Sequence, residues 1–144
     1  MTIAQIQNDV VEEFSMFEDW EERYDYIIAL GKSLPLIEAQ YKIKENLIRG
    51  CLNKVWLRAD LKNDKVIFTA DSESTITKGI IAILIRIFSN QEPGDIMTAD
   101  MGFLDKIGLK EYLSPNRANG LLSMIKQMKM YALAYQTKIN AREL

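Results

Sequence analysis

The sequence predicts an α+β fold, a small three-stranded antiparallel sheet packed against several helices. Three observations lead there. Apolar residues recur at helical spacing near both ends of the chain, as in Ile3, Ile6, Val10, Phe14 and Phe17. Two runs in the middle, VWLRADL at 55–61 and VIFTA at 66–70, are rich in β-branched and aromatic residues and are joined by Lys62-Asn63-Asp64-Lys65, a hairpin connection. No linker, repeat or low-complexity stretch interrupts the 144 residues, so 1–144 reads as one domain.

The elements follow in order. Thr2 with Gln5 three residues on has the form of a capping box for the first helix. Asp19 can cap a second helix carrying Trp20, Tyr24 and Ile27 or Ile28, with Gly31 ending it. Residues 32–44 look irregular, since Pro35 blocks a continuous helix. Leu47-Ile48 supplies the short third strand beside the hairpin. Ser72 or Ser74 can then cap a helix through Phe88, whose isoleucine-rich centre is too long for a typical strand. Pro93 suits a first helical turn, and Phe103, Leu104 and Ile107 form a short helix closed by Gly108. Ser114-Pro115 opens the last helix, with Leu121, Leu122, Ile125, Met128, Ala132 and Tyr135 on one face.

Composition bounds the chemistry. The chain has no histidine and one cysteine, which excludes Ser-His-Asp and Cys-His catalysis and His-ligated metal sites. No glycine-rich phosphate-binding motif is present, and no cofactor is implied. A lone cysteine forms no internal disulfide and suits a reducing compartment, and the acidic N-terminus lacks the basic start of a targeting peptide, so a cytoplasmic location is expected. The longest apolar run, at 80–85, is far too short for a membrane span. Charge is uneven: residues 1–40 hold nine acids against two bases, while residues 41–144 hold eleven acids against sixteen bases. Such polarity reads as solvated helix faces or as a surface that orients a protein partner. Dispersed bases and a pI near 5.3 argue against nucleic acid.

The cysteine lies in Ile48-Arg49-Gly50-Cys51-Leu52-Asn53-Lys54-Val55-Trp56. Free cysteines are commonly buried packing residues, but Gly50 and Asn53 place this one on a loop, where reactive groups concentrate. Arg49 and Lys54 flank it. A cation about 6 Å away in water stabilises a thiolate by roughly 0.7 kcal/mol. Two of them would move a free thiol from about 8.5 toward the upper sevens. Leu52, Ile48 and Val55 oppose that shift by apolar burial. The loop is therefore expected to alternate between a tucked thiol and an exposed thiolate.

Several short runs, taken in order, carry a resemblance. They are Trp20-Glu21-Glu22-Arg23-Tyr24, Leu30-Gly31-Lys32-Ser33-Leu34-Pro35, Gly50-Cys51 with Val55-Trp56-Leu57, Ala70-Asp71-Ser72, Lys78-Gly79, and Leu113-Ser114-Pro115-Asn116-Arg117-Ala118-Asn119-Gly120. Between Phe14 and about Lys129 the chain resembles the SufE family of cysteine desulfuration proteins. Leu52 departs from that family's pattern by standing where a polar residue follows the cysteine.

The resemblance implies a persulfide carrier and activator, without turnover of its own. Its partner would be a pyridoxal-phosphate cysteine desulfurase of the SufS type. Cys51 would accept the sulfur, with Gly50, Arg49 and Lys54 as loop and electrostatic support. An iron–sulfur scaffold complex would be the downstream recipient. A scaffold that builds clusters on itself needs about three ligand cysteines or equivalents; an interaction module with an inert cysteine is the other alternative. Trp56 reads as a core residue anchoring the loop. Asp71 reads first as a helix-capping acid and Arg117 first as a solvated or structural cation, with partner docking the alternative for both.

Overall fold

The structure, a computed structural model describing residues 1–143, is built around one antiparallel hairpin. Strand β1 (Val55–Lys62) pairs with β2 (Lys65–Ser72) in the register Val55↔Ser72 through Lys62↔Lys65. Asn63 and Asp64, at φ 53° and 62°, make the two-residue turn. Positive φ at both central residues is the geometry whose twist matches paired strands, and Asn and Asp tolerate it. Inward side chains alternate as the sequence pattern requires: Val55, Leu57, Val66, Phe68 and Ala70 are buried.

The sheet has two strands, which corrects the expected three. Leu47 forms only an isolated bridge to Trp56, and the Ile48 N–H donates to the Val55 carbonyl at 2.9 Å. A single-turn helix at Lys44–Asn46 precedes this contact, and the chain swings away at Gly50, so no ladder extends. The free edge of β2 is covered in the same economical way, by bridges from Leu36 to Ala70 and from Gln91 to Val66.

Helices wrap the hairpin. Helix α1 (Ile3–Ser15) begins with the expected Thr2–Gln5 capping box, and α2 (Trp20–Leu30) is capped by Asp19. Gly31 closes α2 in a right-handed conformation and leads into a single turn at Gly31–Ser33. Helix α3 (Thr75–Phe88) is capped by Ser74 and is the central pillar, with ten buried residues. Its Gly79 lets α2 approach closely: a Cβ there would lie 1.9 Å from the Ile27 carbonyl oxygen. Short helices α4 (Pro93–Met97), α5 (Phe103–Lys106) and α6 (Leu109–Tyr112) follow, the last unforeseen in the sequence.

Ser114 caps α7 (Pro115–Arg142), with Pro115 in its first turn. Leu121, Ile125, Met128 and Ala132 pack inward as expected, but Leu122 is 49% exposed. Tyr135 is half-buried, its hydroxyl donating to the Ala59 carbonyl. On the far side, Arg86 of α3 donates to Glu13 of α1 at 2.8 Å, and Tyr26 of α2 donates to the same carboxylate, so one group joins three helices. The Arg86 hydrogen bond outweighs partial burial and holds the Glu13 carboxyl below the usual carboxylate range. Among the described residues no helix is long and apolar enough to cross a membrane.

Candidate functional site

The loop between Ile48 and β1 is fixed at its margins. At one end is the Ile48–Val55 hydrogen bond. At the other, Lys54 is clamped through its backbone: its carbonyl accepts from the Ser72 hydroxyl at 2.9 Å and from the Glu73 N–H at 3.3 Å, while its own N–H donates to Glu73 Oε1. Between these anchors Gly50 takes φ 88°, open to glycine at no steric cost, and a Cβ on it would meet Ser123 Oγ at 2.7 Å. Two constraints therefore select glycine before the cysteine.

This path tips Cys51 inward against α7. Its Sγ donates to the Gly120 carbonyl at 3.8 Å, a long, weak contact. Gly120 meets it with backbone alone, and a Cβ there would lie 3.4 Å from Sγ, in ordinary van der Waals contact. Beside the thiol is a cavity of about 20 Å³, lined by Cys51, Leu52 and Asn53 from the loop, Thr77 and Ile80 from α3, and Asn116, Arg117, Gly120 and Met124 from α7. That space holds about one water-sized atom.

The electrostatics differ from the sequence expectation. Burial pushes the Cys51 thiol up, not down. Arg49 and Lys54 are both exposed, and neither sets the thiol's ionisation. Adjacency in sequence does not aim a side chain, and a long cation in water lowers its energy by staying solvated. The thiol is half-buried, sheltered rather than sealed.

The other singled-out residues divide. Arg117, half-buried, lies in the same cavity wall as Cys51. Asp71 is no helix cap, a role Ser74 takes. It pairs with Lys42 at 2.9 Å and Lys78 at 3.4 Å. Burial opposes its ionisation, but Lys42, the Ser72 N–H and Lys78 together hold its carboxyl below the ordinary range. Trp56 is half-buried on the outer face of β1 rather than in the core, with Lys42 Nζ 4.6 Å from its ring centroid. Sequence reading missed Thr77, Met124, Ser72 and Glu73 as parts of the site. The Ala70-Asp71-Ser72 and Asn116–Gly120 runs lay in plain view, but helical periodicity alone does not show which helix face meets a loop.

Among the described residues no cluster of three His, Cys, Asp or Glu side chains comes together to hold a metal ion. What the arrangement offers is one thiol, weakly held on a rigid frame, with atom-sized room beside it. Thiol exchange requires an attacking thiolate and access to it.

Comparisons with known proteins show what the whole chain is similar to. A family model described as SufE, an Fe-S metabolism associated domain, matches residues 8–132. A SufE-like protein of Rhizobium meliloti (strain 1021) is 37% identical over 130 residues, covering 87% of this chain and 93% of that protein. The cysteine desulfuration protein SufE of Wigglesworthia glossinidia brevipalpis is 39% identical over 124 residues, 85% of this chain and 86% of that one. The solution structure of a hypothetical protein from Thermus thermophilus superposes with a TM-score of 0.77 at 17% identity, over 92% of this chain and 96% of that one, a likeness of fold.

Proposed function

The chain belongs to the SufE family, associated with iron–sulfur metabolism, and from that premise we propose that it accepts sulfur on Cys51 from a cysteine desulfurase. The desulfurase, of the SufS type and itself dependent on pyridoxal phosphate, would hold sulfur taken from L-cysteine as a persulfide. The Cys51 thiolate attacks the terminal sulfur of that persulfide. A new S–S bond forms on Cys51, the donor's S–S bond breaks, and the donor cysteine leaves as a thiolate. The exchange is redox-neutral overall and needs neither metal nor histidine. The loaded sulfur then passes to an iron–sulfur scaffold complex, and the carrier acts in the cytoplasm.

The observation that carries this reading is the seat of Cys51: a thiol held by one weak hydrogen bond, with about 20 Å³ of space beside it. Suppressed ionisation of the buried thiol suits a carrier that stays quiet until a donor draws the loop out and exposes the sulfur to water. In this reading Gly50 is the pivot, Arg117 steadies the sulfur or meets the donor, Arg49 and Lys54 meet the donor's surface, and Asp71 is a docking point. The same suppressed ionisation fits the competing reading of an inert interaction module. Composition disfavours self-assembly of clusters, with one cysteine and no histidine in the chain.

Alanine formation from L-cysteine by a purified SufS-type desulfurase separates these readings. The wild-type protein is expected to accelerate it and Cys51→Ser to leave it at the basal rate. Equal stimulation by both would remove Cys51 from the reaction, and no stimulation by either would favour the inert module.

A further inference from the structure

The outer face of α7 carries an apolar groove that the cysteine chemistry does not use. Met97 of α4 and Leu122, Ile125, Met130 and Leu133 of α7 border it, a shallow, widely open depression of about 440 Å³. Leu122, Met130 and Leu133 are 49%, 53% and 52% exposed, three of the nine large hydrophobic residues that stand in solvent among the described residues. Scattered singly such residues mean little; gathered in one concavity they mark a contact surface. Lys126 and Lys129 also line the groove, and no carboxylate does. Lys129 is anchored by donating to the Ala99 carbonyl at 2.9 Å, which fixes a positive charge at the edge.

At 100° per residue, Leu122, Lys126 and Leu133 stand on the side of α7 opposite Gly120 and Met124, which face Cys51. The groove follows α7 from Leu122 to Leu133, about 16 Å at 1.5 Å per residue, the length of three helical turns. We propose that this groove docks an amphipathic helix of a partner protein, its apolar ridge seated between Met97 and Leu133 and its flanks bearing Asp or Glu opposite Lys126 and Lys129. A second copy of the chain is a poor occupant, because a two-fold contact would set these lysines against their own images. A bilayer calls for a broad projecting apolar face, whereas these residues border a shallow depression flanked by two lysines. A partner here leaves Cys51 uncovered, so one protein can be held on α7 while another exchanges sulfur on the loop. The docking claim does not depend on Cys51 carrying sulfur, and each can fail alone.

The test uses the isotope-labelled full chain and a synthetic helical peptide with leucines at i, i+3, i+4 and i+7 and glutamates along its flanks. Amide shifts are expected to concentrate at Met97 and at 122–133, and Lys126→Glu is expected to weaken binding about fivefold, the order of one exposed ion pair. Leu133→Asp, at a half-exposed position that leaves the fold intact, should weaken it further, and the iodoacetamide rate of Cys51 should be unchanged by bound peptide. The proposal is overturned if a lysine-flanked version of the peptide binds as well, if the shifts fall elsewhere, or if bound peptide slows Cys51. It is equally overturned if the acidic peptide fails to bind while Leu133→Asp abolishes either self-association in sedimentation or binding to phosphatidylglycerol vesicles.

Discussion

The two ends of strand β1 are built to opposite purposes. At the hairpin end the ladder runs to its last pair, Lys62↔Lys65, and two residues at positive φ close it. At the other end the pairing stops at Val55, the loop is clamped at Ile48 and Lys54, and from Arg49 to Asn53 the hydrogen bond that the described residues show is the weak one from Cys51 Sγ to Gly120. One end spends its geometry on register. The other leaves a reactive group loosely seated between firm anchors. A thiol that must change partners needs both properties: a frame that fixes where it emerges, and contacts weak enough to give up.

The most severe way to erase the contrast is to melt the frame. Phe68, fully buried on β2, faces the core from the strand that anchors Lys54. Phe68→Ala should cost about 3–5 kcal/mol in urea denaturation, and alkylation of Cys51 should speed up as the unfolded fraction grows. A matched pair of substitutions sharpens the comparison. Gly50→Ala and Asn63→Ala each place an alanine at positive φ, at a cost of roughly 1–2 kcal/mol. Only Gly50→Ala, which also drives a methyl toward Ser123, should speed alkylation of Cys51; equal reactivity in the two variants would show that the ends do not differ.

A subtler change acts through α7. Gly120→Ala puts a methyl 3.4 Å from Sγ, in contact with the thiol at the margin of the small space beside it. The contact is ordinary and alanine is the better helix former, so stability should move by less than about 1 kcal/mol, and alkylation of Cys51 should change less than in Gly50→Ala. The smallest effect is a pH dependence. Burial pushes the Cys51 thiol up, so the alkylation rate should rise through a midpoint above that of the unfolded chain. The sign carries over to stability. With the folded value raised, the neutral thiol favours the folded state below the unfolded thiol's pKa, and that contribution fades as pH climbs through the folded value. Cys51→Ser should remove this alkaline decline from a plot of stability against pH.

How much of this was legible from the sequence depends on whether the cause was local. Thr2, Asp19, Ser74 and Ser114 all cap helices where their spacing from the next apolar stripe suggested, because a cap is decided within one turn. The hairpin was visible for the same reason. Leu47 and Ile48 failed as a strand because positive φ at Gly50 turns the chain away after a single bridge. The seat of Cys51 was hidden because its other half, Gly120, lies 69 residues along the chain. Arg49 and Lys54 misled because their neighbourhood with the thiol is one of sequence, while their side chains stand in water. Leu122 was assigned to the packed stripe, but α7 is buried on one side only and turns Leu122 toward the groove beside α4.

Intact mass after incubation with a SufS-type desulfurase and L-cysteine, without reductant, tests the sulfur-carrier claim most directly. The wild-type chain should gain the mass of one sulfur atom, lose it on treatment with dithiothreitol, and show no gain as Cys51→Ser. A wild-type chain that stays unmodified while the desulfurase turns over, or a Cys51→Ser chain that gains the same mass, would contradict it.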